Sequence, residues 1–377
     1  MTINIGKKIT GFAVRKAGDI PTPPSNASEG GFVNDADRRL AITGVPQPTL
    51  ASLRWEKRPE LHAGNPGITY MVDAPSGKFA VHVGHVQNGS PQTGYPFEAW
   101  VMGEPPRGLS SLAKSISMDM RSRDRGYLRK KLESLSKTSG EPFDGVMPDG
   151  TLVRFPSAVA AFARLVMWRC EELGAFKQYE GNTPVLDALM SRKEPKATGD
   201  GTLSWTVDIY NPTTGDDFVL FLKEAQLQDG QRRPFSVWLS GDYPRSLDGL
   251  CKALSLDMRV IEPAWVGRKL AQLLDCDEAR GDFMAQVPGS EKRQTYPSTV
   301  AYIARLILHR FDQLGLLTAA GEPVKDSGVV QLTLIKSEAP KGEDKKMGAL
   351  CDGCGAYAAV MMDGCLTCVS CGKSKCN

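Results

Sequence analysis

Apolar residues along this chain follow two spacings, one typical of strands and the other typical of helices. Stretches rich in β-branched and aromatic residues, separated by turn formers, predict strand pairs near residues 69–83 and again near 203–222. A further strand follows each pair, at Pro96–Gly103 and Pro234–Gly241, and apolar residues then recur at helical spacing. Strands followed by helices predict an α+β fold.

The two sets of predicted elements correspond to an internal repeat. Pro96-Phe-Glu-Ala-Trp100 matches Pro234-Phe-Ser-Val-Trp238 at an offset of 138 residues. The same offset aligns Arg107 with Arg245, Asp119 with Asp257, Arg121 with Arg259 and Lys131 with Lys269. After a short insertion, the offset is 141, and Pro156-Ser157 and Pro297-Ser298 each open a last helix with a serine cap. We therefore predict a tandem duplicated domain of antiparallel strands packed with helices.

Composition shifts set the expected boundaries. We expect a flexible N-terminal arm over residues 1–50, because it is rich in Pro, Ser and Gly, with a short strand near Lys8–Arg15. The remaining expected parts are α+β repeats over 51–190 and 191–320, a strand (Gly328–Ile335) and charged linker over 321–346, and a cysteine-rich tail over 347–377.

Composition also limits the classes of function. The 377 residues carry a net charge of +3, which is too little for a protein that binds nucleic acid in bulk. No run of about 18 apolar residues predicts a membrane span, and no apolar segment follows the first residues as in a signal peptide. We expect a cytoplasmic protein, in which thiols stay reduced.

Six of the nine cysteines lie in the last 27 residues: Cys351, Cys354, Cys365, Cys368, Cys371 and Cys376. A Cys-x2-Cys pair places two thiolates on one tight turn, and two such turns give zinc its tetrahedral sulfur ligands. A tail of about 30 residues cannot bury enough apolar surface to fold alone, and a bound metal supplies the missing free energy. The spacing therefore predicts a small zinc-ribbon-like tail.

Two divisions of the six cysteines are open. In the first, Cys351, Cys354, Cys365 and Cys368 bind zinc, and Cys371 and Cys376 remain. In the second, Cys351, Cys354, Cys368 and Cys371 bind zinc, and Cys365 and Cys376 remain. A glycine then follows the second cysteine of each Cys-x2-Cys pair, which suits the tight turn around a zinc ligand. Either division leaves two thiols for redox chemistry on a tethered chain end.

This tail resembles the carboxyl terminus of cobalamin-dependent (class II) ribonucleotide reductases. The stretch from Lys57-Arg-Pro-Glu-Leu through Gly67-Ile-Thr-Tyr-Met-Val to Pro96-Phe-Glu-Ala-Trp also resembles the domain that precedes that tail. The resemblance covers residues from about 55 to 377. It implies a subunit of a ribonucleoside-diphosphate reductase, which converts ribonucleotides to deoxyribonucleotides for DNA synthesis.

The resemblance also implies how the tail would work. In that family, a terminal cysteine pair re-reduces the active-site disulfide and is recharged by thioredoxin or glutaredoxin. Cys371-x4-Cys376 matches the family's terminal spacing, which favours the first division and makes this pair the redox dithiol. Zinc would then be the cofactor of this chain, and adenosylcobalamin that of a partner catalytic subunit.

The chain departs from the family at the catalytic barrel. It is too short to contain that barrel, and Leu274-Asp-Cys276-Asp-Glu278 lacks the asparagine of the family's radical-cysteine motif. We therefore expect the second subunit of a split class II reductase, inactive alone and bound to a separate catalytic subunit. The alternative is a zinc-ribbon adaptor for nucleic acid or protein with no redox role.

Other repeated residues have structural interpretations. We expect Arg107 and Arg245 to cap turns, with a phosphate or partner contact as the alternative. We expect Asp119 and Asp257 to pair with Arg121 and Arg259 at helix ends. Trp100 and Trp238 are expected in the core or at a domain interface. Cys170, Cys251 and Cys276 are expected to be structural.

Overall fold

In the computed structural model, the described residues are 32–34, 39–40, 49–59, 64–88, 90–177, 183–191, 194, 199, 201–227, 230–324, 359–362, 365–368 and 373–376. They form a mixed α and β structure with small antiparallel sheets. This confirms the mixed class that the apolar spacing predicts. No helix among these residues is both long enough and apolar enough to cross a membrane.

Two strands lie within the segment expected to be an arm, β1 (Phe32–Asn34) and β2 (Arg39–Leu40). They pair with each other, and β2 runs parallel to a strand of the second half at Gln226 and Leu227. The predicted strand at Lys8–Arg15 lies outside the described residues.

The first half of the molecule, residues 64–177, is a three-stranded sheet covered by helices. Its elements are β3 (Gly67–Ala74), β4 (Gly77–Asn88), β5 (Ser90–Gly103), α1 (Leu109–Arg121), α2 (Arg125–Leu135), β6 (Phe143–Val146), β7 (Leu152–Phe155) and α3 (Ala158–Glu172). Alternate residues of the strands, such as Phe79, Val81 and Val83, are buried against these helices. As predicted, Ser157 caps α3 by accepting a hydrogen bond from the Ala160 N–H.

A short helix, α4 (Pro184–Asp187), precedes the second half, residues 201–324. The second half contains β8 (Ser204–Asn211), β9 (Asp216–Leu227), β10 (Arg232–Asp242), α5 (Leu247–Met258), α6 (Pro263–Leu273), β11 (Phe283–Gln286), β12 (Arg293–Tyr296) and α7 (Thr299–Gln313). Its elements follow the same order as those of the first half. Ser298 caps α7 as Ser157 caps α3.

A serine of the following helix covers the edge strand of each sheet. The Ser117 hydroxyl of α1 accepts a hydrogen bond from the Ala99 N–H at 2.9 Å and lies 3.0 Å from the Ala99 carbonyl oxygen. In the second half, the Ser255 hydroxyl accepts a hydrogen bond from the Val237 N–H at 3.0 Å. These contacts satisfy backbone groups that an edge strand leaves unpaired.

The two halves pack through their helices, α1 against α5 and α6, and α2 against α5. Just before α1, Gly108 has a φ of 83°, and a Cβ added there would collide with Leu247. The Ser246 hydroxyl donates a hydrogen bond to the Arg107 carbonyl oxygen beside it. The beginnings of α1 and α5 therefore lie directly against each other.

A segment before the first half joins both halves. Its helical turn, Thr49–Ser52, contacts the second half through the Thr49 hydroxyl, which donates to the Glu262 carboxylate at 2.6 Å. It contacts the first half through the Arg54 N–H, which donates to the Arg121 carbonyl oxygen at 2.8 Å.

The tail contains a three-stranded antiparallel sheet of β13 (Ala359–Met362), β14 (Cys365–Cys368) and β15 (Ser374–Cys376). The strand predicted at Gly328–Ile335 and the charged linker both lie outside the described residues.

Candidate functional site

The register of the tail sheet places two of the six terminal cysteines opposite each other. Antiparallel pairing of β14 with β15 sets Cys365 against Cys376. Cα atoms of directly opposed residues in such a pair lie about 4.5–5.5 Å apart, within the range that a disulfide spans. Cys365 is half-buried and is disulfide-bonded. The other cysteine of this strand, Cys368, lies opposite Ala359 of β13.

Cys365 and Cys368 lie on one extended strand rather than on a tight turn. A Cys-x2-Cys zinc knuckle instead places its two cysteines on a tight turn. Cys351, Cys354 and Cys371 lie outside the described residues.

In the part of the chain that the structure describes, no three His, Cys, Asp or Glu side chains are grouped so that they could hold a metal ion. The zinc predicted from the sequence would depend mostly on cysteines outside that part. Four cysteine thiolates are a suitable donor set for structural zinc, so the chemistry of these residues fits the metal.

The three other cysteines are free and buried inside the two halves. Burial raises the pKa of Cys170 to about 12 and also raises the pKa of Cys251 and of Cys276. Thiols of this kind do not form the thiolate needed for nucleophilic or redox chemistry. Their placement agrees with the structural role expected from the sequence.

The most buried charges form a four-membered cluster between the halves. Lys131 and Asp119 belong to the first half, and Lys269 and Asp257 to the second, and all four side chains have no exposed surface. Lys131 donates to Asp119 at 3.0 Å and to Asp257 at 2.6 Å, and Lys269 likewise donates to both carboxylates. Each lysine thus joins its own half to the other.

Asp257 is the centre of this cluster. Its Oδ1 atom also accepts hydrogen bonds from the Tyr127 hydroxyl at 2.7 Å and from the Trp265 indole N–H at 2.9 Å. Burial by itself would raise the pKa of Asp257, but Lys131 and Lys269 hold it below its usual value. The cluster is fully enclosed, so it holds the halves together and is not open to a substrate.

The sequence-based pairing of Asp119 with Arg121 and of Asp257 with Arg259 is wrong. The carboxylates turn inward to lysines, whereas Arg259 lies 3.6 Å from Glu194. The position of Lys131 could have indicated the correct pairing. It lies on the buried stripe of α2, between Leu128 and Leu132. A lysine on such a stripe needs a buried partner.

Arg107 also ties the halves together. Its guanidinium donates two hydrogen bonds to Asp216, at 2.9 and 2.7 Å, and is paired with Glu278. Burial raises the pKa of Asp216, but hydrogen bonds from Arg107, Thr214 and Thr299 outweigh it and hold the pKa below its usual value. Arg245, at the corresponding position, instead donates to the Tyr243 hydroxyl at 2.9 Å.

Replacing Arg107 with alanine is expected to lower the free energy of unfolding by about 1–2 kcal/mol at pH 7. Because the pKa of Asp216 is lowered in the folded state, this contribution is present at neutral pH. It declines as the pH falls below about 4, the pKa of an unfolded aspartate. Urea unfolding at pH 7 and pH 3 measures it, with Arg245→Ala as the matched control. An equal loss for Arg245→Ala at pH 7 would contradict the prediction.

Trp100 and Trp238 lie on the outer faces of their sheets and are not in the core. They are 42% and 55% exposed. The indole N–H of Trp100 donates to Glu98 at 2.9 Å, and that of Trp238 donates to the Ser236 hydroxyl at 3.2 Å. The alternation along β5 and β10 determines this placement, because residues two apart share a face.

Comparison of the chain with protein-family models, with curated proteins and with solved structures finds no match.

Proposed function

We propose that this chain is the accessory subunit of a split cobalamin-dependent ribonucleotide reductase. Its tail would carry reducing equivalents to a separate catalytic subunit, in the cytoplasm. The observation that carries the proposal is the disulfide-bonded Cys365 on a small sheet where Cys376 lies opposite it. A cysteine pair on a small sheet that follows a charged linker in the sequence suits a dithiol that must reach another active site.

Cys376 is the proposed partner of Cys365, which assigns the zinc ligands to Cys351, Cys354, Cys368 and Cys371. Two observations support this second division over the first. Cys365 is already bonded to another sulfur, and it lies with Cys368 on one strand and not on the tight turn of a zinc knuckle. A zinc bound by the other four cysteines would hold the small sheet together and leave the terminal pair free to react.

The reaction of the tail is a pair of thiol–disulfide exchanges. One tail thiolate attacks the disulfide of the catalytic subunit and forms a mixed disulfide, and the sulfur that leaves takes up a proton. The second tail thiolate then attacks the mixed disulfide. The catalytic pair is now reduced and the tail pair is oxidised, so two electrons have moved. Thioredoxin or glutaredoxin reduces the tail again by the same chemistry.

The two halves are proposed to be copies of one duplicated domain. Their identical order of elements, the matched serine caps and the reciprocal contacts of Lys131 and Lys269 support this proposal. Together they would form the body that docks on the catalytic subunit, which would hold adenosylcobalamin. Cobalamin would generate the radical there, and this chain would supply only the reductant.

The test uses a class II catalytic subunit that lacks its own cysteine tail. With thioredoxin as reductant, the wild-type chain is expected to support many turnovers, because each oxidised tail can be reduced again. Cys376→Ser is expected to abolish steady-state turnover and to leave one turnover on a pre-reduced catalytic subunit intact. Cys170→Ser, at a buried free thiol, is the control and retains turnover. Persistence of turnover in Cys376→Ser would refute the dithiol role.

A further inference from the structure

The last helix of each half carries an arginine in a corresponding environment. Arg169 of α3 and Arg310 of α7 align in the internal repeat, and each side chain is 13% exposed. Each donates from Nη1 to the residue three positions later, to Glu172 at 3.2 Å and to Gln313 at 3.1 Å. The two halves can therefore be compared by what lies beside the Nε atom of each arginine.

The sheet register identifies the strand residues that correspond near these arginines. In the second half, Glu224 of β9 lies opposite Pro234 of β10. In the first half, His85 of β4 lies opposite Pro96 of β5. The register shifts at this point of both sheets, and Pro96 matches Pro234 in the repeat. His85 is therefore the counterpart of Glu224.

The second half balances its arginine with a carboxylate. Glu224 is 3% exposed and accepts a hydrogen bond from Arg310 Nε at 2.6 Å. Its other oxygen lies 3.6 Å from the Nε atom of Arg232. A buried carboxylate between two guanidinium groups has partners for its charge and for its lone pairs.

The first half has a histidine in the place of that carboxylate. His85 is 4% exposed, and its Nδ1 atom and the Nε atom of Arg169 are both buried without a hydrogen-bond partner among the described residues. Gly94 corresponds to Arg232, and a Cβ added to it would lie 2.8 Å from the His85 ring. The glycine thus leaves room for the imidazole beside α3.

The helix and the first strand next to His85 contribute one carboxylate, which is already engaged. Glu172 of α3 is paired with Arg169. It also accepts a hydrogen bond from the Tyr70 hydroxyl of β3 at 3.3 Å. Its lone pairs are therefore committed to other donors.

The other two strands do not supply a compensating charge either. His82, on β4, is a second basic group, and Glu98, on β5, is paired with Arg58. Burial lowers the pKa of His85, and the charges of Arg169 and His82 lower it further. The imidazole is therefore neutral at pH 7 in the folded protein.

We propose that His85 and Arg169 form a proton-sensitive joint between β4 and α3, which opens in mild acid while the second half stays closed. Protonated His85 places a second positive charge beside the guanidinium, and its Nδ1–H lacks an acceptor. Glutamate carboxylates ordinarily titrate near pH 4.3, so the pair of Glu224 with Arg310 persists in mild acid. The joint does not involve the redox tail, so either proposal can fail without the other.

Opening of the joint takes up one proton. Because the pKa of His85 is lowered in the folded state, the stability that its neutral form contributes is complete above about pH 6.5, the pKa of an unfolded histidine. It is lost as the pH falls through the lower pKa of the folded state. Within this window, the equilibrium constant for opening rises by up to about tenfold per pH unit.

Hydrogen exchange of the full chain, followed by mass spectrometry at about pH 7.5 and about pH 5.5, measures this opening. After correction for the intrinsic pH dependence of exchange, amides of β4 and α3 are expected to exchange about threefold faster or more at the lower pH. Amides of β9 and α7 are the internal control and are expected to keep their protection. An equal response of the two halves overturns the proposal.

Two variants of His85 separate protonation from a general effect of acid. His85→Glu copies Glu224, is expected to pair with Arg169, and loses the acid response. His85→Gln is uncharged at both pH values and is also expected to lose the response, which guards against misfolding of the glutamate variant. His309→Gln, at a histidine of α7, is the matched control and keeps it. A wild-type acid response in His85→Gln or its loss in His309→Gln overturns the joint.

Discussion

Asp257→Ala is expected to lower the free energy of unfolding by about 3–5 kcal/mol, because it removes one partner of a buried ionic cluster. The substitution leaves Lys131 and Lys269 with Asp119 as their only carboxylate in the cluster. It also removes the acceptor of the Tyr127 hydroxyl and of the Trp265 indole N–H. Urea unfolding followed by tryptophan fluorescence measures the loss.

Asp119→Ala is the matched comparison within the same cluster. Asp119 accepts from the two lysines in the observed bonds but not from Tyr127 or Trp265. Asp119→Ala should therefore lower the free energy of unfolding by about 1–3 kcal/mol less than Asp257→Ala does. This difference is the penalty for leaving the buried donors of Tyr127 and Trp265 unpaired. Asp73→Ala, in an exposed pair with Lys78, serves as the surface control and changes stability by less than about 0.5 kcal/mol. Equal losses for Asp257→Ala and Asp73→Ala would contradict a central role for the cluster.

Cys371→Ser is expected to remove the bound zinc, whereas Cys365→Ser is expected to keep it. The physical reason is the register of the tail sheet, which sets Cys365 against Cys376 and leaves Cys371 to complete the proposed set of four thiolates. Elemental analysis of the purified full chain gives about one zinc per chain for Cys365→Ser and none for Cys371→Ser.

Thiol counting completes the zinc experiment. In Cys365→Ser, oxidation no longer consumes two terminal thiols, because one of the proposed pair is missing. The opposite pattern, with zinc lost in Cys365→Ser and kept in Cys371→Ser, would restore the first division of the six cysteines. Cys251→Ser, at a buried free thiol, is the control for both measurements and leaves both values unchanged.

The local elements were predictable from the sequence because their signals are local. Strand β10 (Arg232–Asp242) includes the predicted segment Pro234–Gly241. Ser157 and Ser298 cap their helices as expected, since a serine oxygen just before a helix accepts a hydrogen bond from a backbone N–H of the first turn.

Contacts between the halves were not predictable in the same way. Asp119 lies two residues from Arg121, so the sequence suggested a local pair, yet its partners are Lys131 and Lys269, one of them 150 residues away. A charge that is removed from water must pair with an opposite charge buried beside it. Which charges are buried together depends on which surfaces meet in the folded molecule. The exposed face of Trp100 was missed because an aromatic residue in a strand has two possible faces, and only the register of β4 with β5 selects one.

The candidate site was only partly predictable. The spacing of the terminal cysteines indicated a metal and a spare pair, but left two divisions open. Cys365 and Cys368 lie on one strand, which Cys-x2-Cys spacing does not reveal, since the same spacing occurs on turns and on strands. The difference between His85 and Glu224 had no local signal, because the offset of 138 aligns His85 with Lys223, and only the sheet register makes Glu224 its counterpart.

The shared Lys–Asp cluster has a consequence for biosynthesis. Lys131 is made 138 residues before Lys269, so Asp119 and Lys131 leave the ribosome with half of their ionic neighbours still missing. Until α6 has been translated, Asp119 and Lys131 of the nascent first half lack Lys269, one of the charges with which they are buried in the folded molecule. A polypeptide truncated before that point would keep this incomplete surface and become a target for chaperones and proteases.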